Sequence, residues 1–257
     1  MLSTAVAKAS AIALHHFRND ARQWYKGPGQ IVTEADIAVD RCLHEILIEA
    51  RPEDGWLSEE CADDGSRHSS QRVWIVDPID GTRSFAEGVP EFTISIALID
   101  QGKPVLASIM NPVTNEHFRA VAGGGATLNE RPLSPSNHRE IKDASLLASS
   151  GEMKKRRWPE AIPAARFTTI GSLAYKLALV AAGRFDGLVS LRSCHDWDVA
   201  AAVLILQEAG CLLGDGSGNS LSLNEPTMRH DGLVAAGNES LYSDLVTQLD
   251  LIRLSSV

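Results

Sequence analysis

Small apolar and polar residues alternate through the first stretch, "MLSTAVAKASAIALHHFRND", and the pattern predicts an amphipathic helix over about residues 3–25. A loop containing "KGPGQ" is expected to end it. "TEADIAVDRCLHEILIEARP" reads as a second helix, with Ile37, Leu43, Ile46 and Leu47 as its apolar positions. Thr33 and Asp36 have the spacing of a capping box at its start, and Pro52 marks its stop. The period then changes. "GWLSEE" is a short strand ending in two acids, "DDGSRHSSQ" a polar loop, and strands follow at about 72–77, 92–100, 103–111 and 116–121. Turns at "DQGKP" and "NPVTN" make these a meander.

Beyond residue 140 strands and helices alternate. "SLLASS", "FTTIG", "GLVSL", "CLLGD" and "GLVAAG" read as strands. "SLAYKLALVAAGRFD", "DWDVAAAVLILQEAGC" and "ESLYSDLVTQLDLIRL" read as helices, the second closed by Gly210. The alternation predicts sheet packed between helical layers. The polar run "SNHREIKD" suggests a boundary near 136–143. It gives an N-terminal unit of 1–140, a helix pair with an antiparallel sheet, and a C-terminal α/β unit of 141–257.

Composition narrows the function. With 44% hydrophobic residues the chain can bury a large core. A formal net charge of -9, from 24 basic and 33 acidic side chains, argues against a nucleic-acid polymer as partner. No apolar run approaches the roughly 18–20 residues that span a bilayer, so no membrane association is expected. The N-terminus lacks the basic start and unbroken apolar stretch of a signal peptide. Cys42, Cys61, Cys194 and Cys211 are scattered without a CxxC pair, which argues against a thiolate zinc site and fits a reduced, cytoplasmic setting.

The chemistry concentrates at element ends: Glu59 and Glu60 in "WLSEE", Asp77 and Asp80 in "VDPID", Asp196 and Asp198 in "DWD". Asp77 and Asp80 follow the apolar run "RVWIV", so they sit where water is partly excluded and like charges raise each other's pKa unless a cation intervenes. Hard divalent ions such as Mg²⁺ take oxygen ligands. Pro78 fixes the turn between the two acids, and the carbonyl of Ile79 offers a neutral third ligand. Gly81 permits close backbone approach, and Thr82 opens the short helix "RSFAEG", whose free N–H groups suit a phosphate oxygen. Asp-Pro-x-Asp-Gly is also ordinary turn chemistry. Taken alone, Glu59 and Glu60 read as surface acids, Asp36 and Asp198 as helix-start acids, and Lys26 as a solvated loop lysine.

In order, "VTEAD", "WLSEE", "DPIDGT", "GSLAYKLALVAAGRFDG", "WDVAA" and "QEAG" resemble the inositol monophosphatase family over about residues 5–254. These are Mg²⁺-dependent, lithium-sensitive phosphatases that include nucleotide 3'-phosphatases and histidinol phosphatases. The resemblance implies an α+β fold, a layered α-β-α-β-α sandwich of the sugar-phosphatase type, working as a homodimer with two or three Mg²⁺ ions. It implies Glu59, Asp77 and the Ile79 carbonyl as ligands of one ion, and Asp77, Asp80 and Asp198 as ligands of a second. Glu59 with Thr82 resembles the pair that orients the attacking water, assisted by Asp36. The backbone N–H groups of Gly81 and Thr82 resemble a phosphate cradle, and Trp197 the residue packed beside the metal aspartate. Four clustered acids balance two divalent ions, and no covalent phospho-enzyme is required.

Substrate choice follows from departures. Where inositol-selective members carry a polyol-reading glutamate, this chain has Leu191, and where they carry Thr-Asn it has Arg83 and Ser84. Arg83, Ser172 and Arg192 are the candidate substrate contacts, with His195 a further one. Arg83 reads equally as a second-anion contact or as a solvated helix-start arginine. The expected substrate is a small-molecule phosphate monoester, first a 3'(2'),5'-bisphosphate nucleoside, then histidinol phosphate, then inositol 1-phosphate. An aspartyl-phosphate enzyme is disfavoured because its D-x-D spacing is two and not three. A non-catalytic metal-dependent binding protein on the same fold is the remaining alternative.

Overall fold

The computed structural model describes residues 1–19, 21–27, 30–154 and 157–254. Helix α1 (Leu2–Arg18) leads to a hairpin of β1 (Gln23–Gly27) and β2 (Gln30–Thr33), then α2 (Glu34–Ala50) and β3 (Gly55–Ser58). After a 3₁₀ turn at Ser66–Ser69 come β4 (Arg72–Asp80), α3 (Thr82–Ala86), β5 (Thr93–Asp100), β6 (Lys103–Asn111), β7 (Glu116–Val121), β8 (Gly125–Leu128) and β9 (Arg131–Pro132). The second half holds β10 (Ser145–Ala148), α4 (Ser150–Lys154), α5 (Arg157–Ala161), β11 (Arg166–Thr169), α6 (Leu173–Ala181), β12 (Gly187–His195), α7 (Asp196–Ala209), β13 (Leu212–Asp215), β14 (Arg229–Ala236) and α8 (Glu239–Leu254).

Strands β3 to β9 form one sheet in chain order, parallel only between β3 and β4. The smaller sheet runs β11-β10-β12-β14-β13, with β10 parallel to both β11 and β12 and the remaining pairs antiparallel. Side-chain alternation on β4 assigns the layers. Trp74 and Val76 face α1 and α2 through Ala9, Ala13, Val39, Leu43 and Leu47. Val73 and Ile75 face α6 and α7 through Leu177, Ala200 and Ala201. The same core reaches Leu188, Leu233 and Ala235 of the small sheet. The far face of that sheet, through Val189 and Val234, packs on Leu241, Leu245 and Leu249 of α8. The layers are therefore α-β-α-β-α, as the resemblance implies. Helix α7 lies between two sheets, which explains its all-round apolar sequence and its run of three alanines, small enough for close approach.

Three local expectations are corrected. The first helix stops at Arg18, not near residue 25, and the chain re-enters as a hairpin because Trp24, Tyr25, Ile31 and Val32 favour an extended backbone. Pro28 and Gly29 of the expected loop lie outside the described residues. Helix α2 buries Ala35, Val39, Leu43 and Leu47, and Ile37 is only half-buried. Strand β3 joins β4 in parallel, so the large sheet is not a pure meander. The capping box is present: Asp36 Oδ2 accepts from Thr33 N at 2.8 Å, and Thr33 Oγ1 accepts from Ala35 N at 3.2 Å.

Candidate metal centre and adjoining cleft

The pairing of β4 with β5 is interrupted between Asp77 and Asp80. This bulge aims both carboxylates the same way, where strict alternation would have sent residues three apart to opposite faces. Asp77 and Asp80 are buried. Asp198 enters from the first turn of α7, where its Oδ2 also accepts from His195 N at 2.6 Å. One carboxylate oxygen from each of Asp77, Asp80 and Asp198 lies within 4.8 Å of the others. Glu59, just past the end of β3, borders the same small pocket of about 190 Å³, together with Gly81, Thr82, Arg83 and the β2 residues Gln30 and Ile31.

Second contacts hold the acids in place. Asp80 Oδ2 accepts from Ala174 N at 2.6 Å and from the Ser172 hydroxyl. Ser172 is fully buried, bonds Thr93 at 3.1 Å and accepts from Tyr175 N at 2.9 Å as the N-cap of α6. It therefore holds Asp80 from a buried position. The Thr82 hydroxyl lies 3.1 Å from Asp36 Oδ1 and 3.0 Å from the Ile79 carbonyl. Its side-chain partner is thus Asp36 and not Glu59. Lys26, expected in solvent, reaches across from the hairpin to Glu60 at 2.6 Å and to Glu59 Oε1 at 3.5 Å. The ring of Trp197 stacks on His195 with centroids 4.6 Å apart.

Burial is the first cause of every pKa displacement here, followed by like-charge repulsion at Asp77 and Asp198. Asp77 is held well above the usual carboxylate range by burial and then by Glu59, Asp80 and Asp198. Asp198 is pushed up to about 8 by burial and Asp80. Glu59 is pushed up to about 7 by burial, against the opposing pull of Lys26. Asp80 is raised by burial and held back by its bonds to Ser172 and Ala174. Asp36 is raised by burial against its bonds to Thr33 and Thr82. Three convergent hard oxygen donors that repel each other form a donor set suited to Mg²⁺.

The backbone permits close approach beside them. Gly81 has φ +95°, and a Cβ there would lie 2.8 Å from the Glu91 carbonyl. Across Gly81 and Arg83 the pocket adjoins a cleft of about 510 Å³, lined also by Ser149, Thr169, Lys176 and Arg192. Arg83 thus borders both spaces, Arg192 only the cleft, and neither Trp197 nor His195 lines either one. Lys176 went unnoticed in sequence. The available signal is a lone charge inside "LAYKLALVAA", on a helix otherwise apolar all round. Burial lowers the pKa of its ammonium, while Asp80 and Glu152 pull it the other way. Glu152 was missed too. Its carboxylate accepts from Leu191 N at 2.7 Å, beside the position where a glutamate was expected and a leucine stands.

The chain matches the model of the inositol monophosphatase family over residues 1–252. It is 36% identical over 228 residues to an inositol-1-monophosphatase of Rhizobium meliloti (strain 1021), covering 86% of this chain and 83% of that one. It is 35% identical over 238 residues to the Nus factor SuhB of Haemophilus influenzae, covering 86% and 87%. Among solved structures, an IMPase of Thermotoga maritima superposes with a TM-score of 0.87 at 26% identity, covering 98% of this chain and 96% of that one.

Proposed function

From the premise that this chain belongs to the inositol monophosphatase family of Mg²⁺-dependent phosphatases, we propose that it hydrolyses a small polyol- or sugar-type phosphate monoester by direct water attack. The observation that carries this is the convergence of Asp77, Asp80 and Asp198 within 4.8 Å, next to Gly81 and Thr82. These aspartates, with Glu59 and the Ile79 carbonyl, would hold Mg²⁺. When bound, the ion supplies Lewis-acid activation of water and charge neutralisation on the phosphoryl oxygens.

The chain's own groups do the rest. The Thr82 hydroxyl donates on the side of Asp36 and the Ile79 carbonyl, which leaves its oxygen lone pairs to orient a water O–H. Glu59, which borders the same pocket as Thr82, would take a proton from that water as its carboxylate. The Gly81 and Thr82 N–H groups cradle the phosphate. Water oxygen bonds to phosphorus, the ester P–O bond breaks, and the alcohol leaves with a proton.

Two lines support a polyol-type substrate. The relatives of 33–36% identity called inositol-1-monophosphatases act on such a phosphate by name. None of the side chains lining the cleft is aromatic, so a nucleobase finds no stacking partner there. The 3'(2'),5'-bisphosphate nucleoside, placed first from sequence, is thereby moved behind it as far as the base is concerned. A cytoplasmic homodimer belongs to the same proposal, supported by the family resemblance and by four unpaired cysteines. Hydrolysis of p-nitrophenyl phosphate with and without Mg²⁺ is the test. Metal-dependent release of nitrophenol is expected, and tight Mg²⁺ binding without turnover would leave the non-catalytic alternative.

A further inference from the structure

Lys176 is 6% exposed, on a helix whose neighbours from Ala174 to Ala181 are all buried. Lysine is almost never buried to that degree without a partner. Yet its ammonium forms no hydrogen bond or ion pair among the described residues. Asp80 and Glu152 act on it through space while their hydrogen bonds go elsewhere, Asp80 through Oδ2 and Glu152 through both oxygens. Asp80 is held by Ser172 and Ala174 N, and Glu152 accepts from the Ser149 hydroxyl at 2.6 Å and from Leu191 N at 2.7 Å. The ammonium is not among the buried unpartnered polar atoms, so its N–H donors open onto the cleft that Lys176 lines.

Lys176 lines the 510 Å³ cleft together with Arg83 and Arg192, which reach it from α3 and from β12. Two acids, Glu87 and Glu91, share that lining. Glu91 is engaged with Gly171 N at 2.9 Å, so its charge is partly satisfied. Gly81 and Arg83 belong to both spaces, so one small molecule can have its ester phosphate at the aspartates and its remainder in the cleft.

We propose that Lys176, flanked by Arg192 and Arg83, forms a subsite for a second anionic group carried by the substrate's alcohol. The inference rests on the phosphatase reading and names the class of substrate within it: a phosphate monoester bearing a further phosphate or carboxylate. The buried ammonium is the floor of the subsite, and the two arginines at its mouth add charge-assisted contacts.

The test compares phosphate release from two matched pairs: glucose 1,6-bisphosphate against glucose 6-phosphate, and adenosine 3',5'-bisphosphate against adenosine 3'-phosphate. The wild-type protein in Mg²⁺ should prefer the bisphosphate in at least one pair. Lys176→Met should lower that preference by roughly ten- to a hundredfold, and Lys176→Arg should restore part of it. A merely structural lysine, acting as counter-ion to Asp80 and Glu152, would shift the melting temperature or the Mg²⁺ requirement and lower both members of a pair together. An unchanged preference in Lys176→Met, or no preference in the wild type, overturns the subsite while p-nitrophenyl phosphate turnover still upholds the phosphatase. If no monoester is hydrolysed, that reading fails and calorimetry decides the subsite. Weaker binding of glucose 1,6-bisphosphate to Lys176→Met than to wild type sustains it, and equal binding overturns it.

Discussion

Two spaces lie side by side, sharing Gly81 and Arg83, and they are built on opposite principles. The smaller is floored by carboxylates that repel each other. The larger contains a buried ammonium with no bonded partner. In the first, Lys26 offsets only part of the acidic charge, and in the second, Lys176 and two arginines share the lining with Glu87 and Glu91. Folding alone would favour neither arrangement, since an unpaired buried charge costs several kcal/mol. Each becomes favourable when its complement arrives, a divalent cation in one and an anion in the other. The acidic space therefore supplies the chemistry, common to any phosphate monoester. The basic one supplies selection among them.

The sharpest way to break this comparison is to neutralise one acid. Asp80→Asn keeps an oxygen to accept from Ala174 N but removes a ligand charge. It should lower kcat/KM on every substrate by roughly a thousandfold or more, equivalent to about 4 kcal/mol, with an unchanged circular dichroism spectrum. Wild-type rates at limiting Mg²⁺ would remove Asp80 from the metal site.

Metal removal comes next. With chelator present, Glu59 stays near 7 and Asp198 near 8, and Asp77 and Asp80 are raised as well. A carboxylate whose folded pKa is raised prefers its protonated form in the fold. Its stabilising contribution is full below the unfolded range near pH 4 and is lost as pH climbs through the folded values. The melting temperature of the metal-free protein should thus fall between about pH 5.5 and about pH 8.5, and Mg²⁺ should raise it most at the upper end. A flat profile would mean the acids are not crowded as described.

Arg83→Ala tests the shared wall. It should cost roughly ten- to a hundredfold on a substrate with a second anion, about 1.5–3 kcal/mol, and clearly less on p-nitrophenyl phosphate. Equal losses would assign Arg83 to the common phosphate site. The smallest effect concerns the scaffold. Thr33→Ala removes the α2 cap and should destabilise the fold by about 1 kcal/mol, seen as a lower melting temperature. Because Thr33 also donates to Asp36 at 2.6 Å, a modest fall in kcat should accompany it.

Legibility differed between the two spaces for a physical reason. The metal acids sit at the ends of strongly patterned elements: "RVWIV" before Asp77, and an apolar helix after Asp198. Periodicity placed those elements, and the acids followed. The same signal failed between residues 19 and 33, where a turn and a two-strand hairpin are too short for a period to register. That hairpin brings Lys26 to Glu59 and Glu60, and Gln30 and Ile31 to the pocket wall. The bond of the Ser172 hydroxyl to Asp80, 92 residues away, likewise depends on α6 docking beside β4, unlike its local bond to Tyr175 N three residues on.

The amino-acid sequence by itself determined the layered order of helices and strands, the capping box of Thr33 and Asp36, the αL stop at Gly210 and the identity of the clustered acids. Each depends on residues within one element or one turn, where spacing is geometry. Tertiary structure decided how β4 bulges between Asp77 and Asp80 so that both face Asp198, 118 residues beyond Asp80. It also decided that Arg83, Lys176 and Arg192, from α3, α6 and β12, meet around one cleft. No local pattern encodes that meeting, because it is set by how two sheets close on the helices between them.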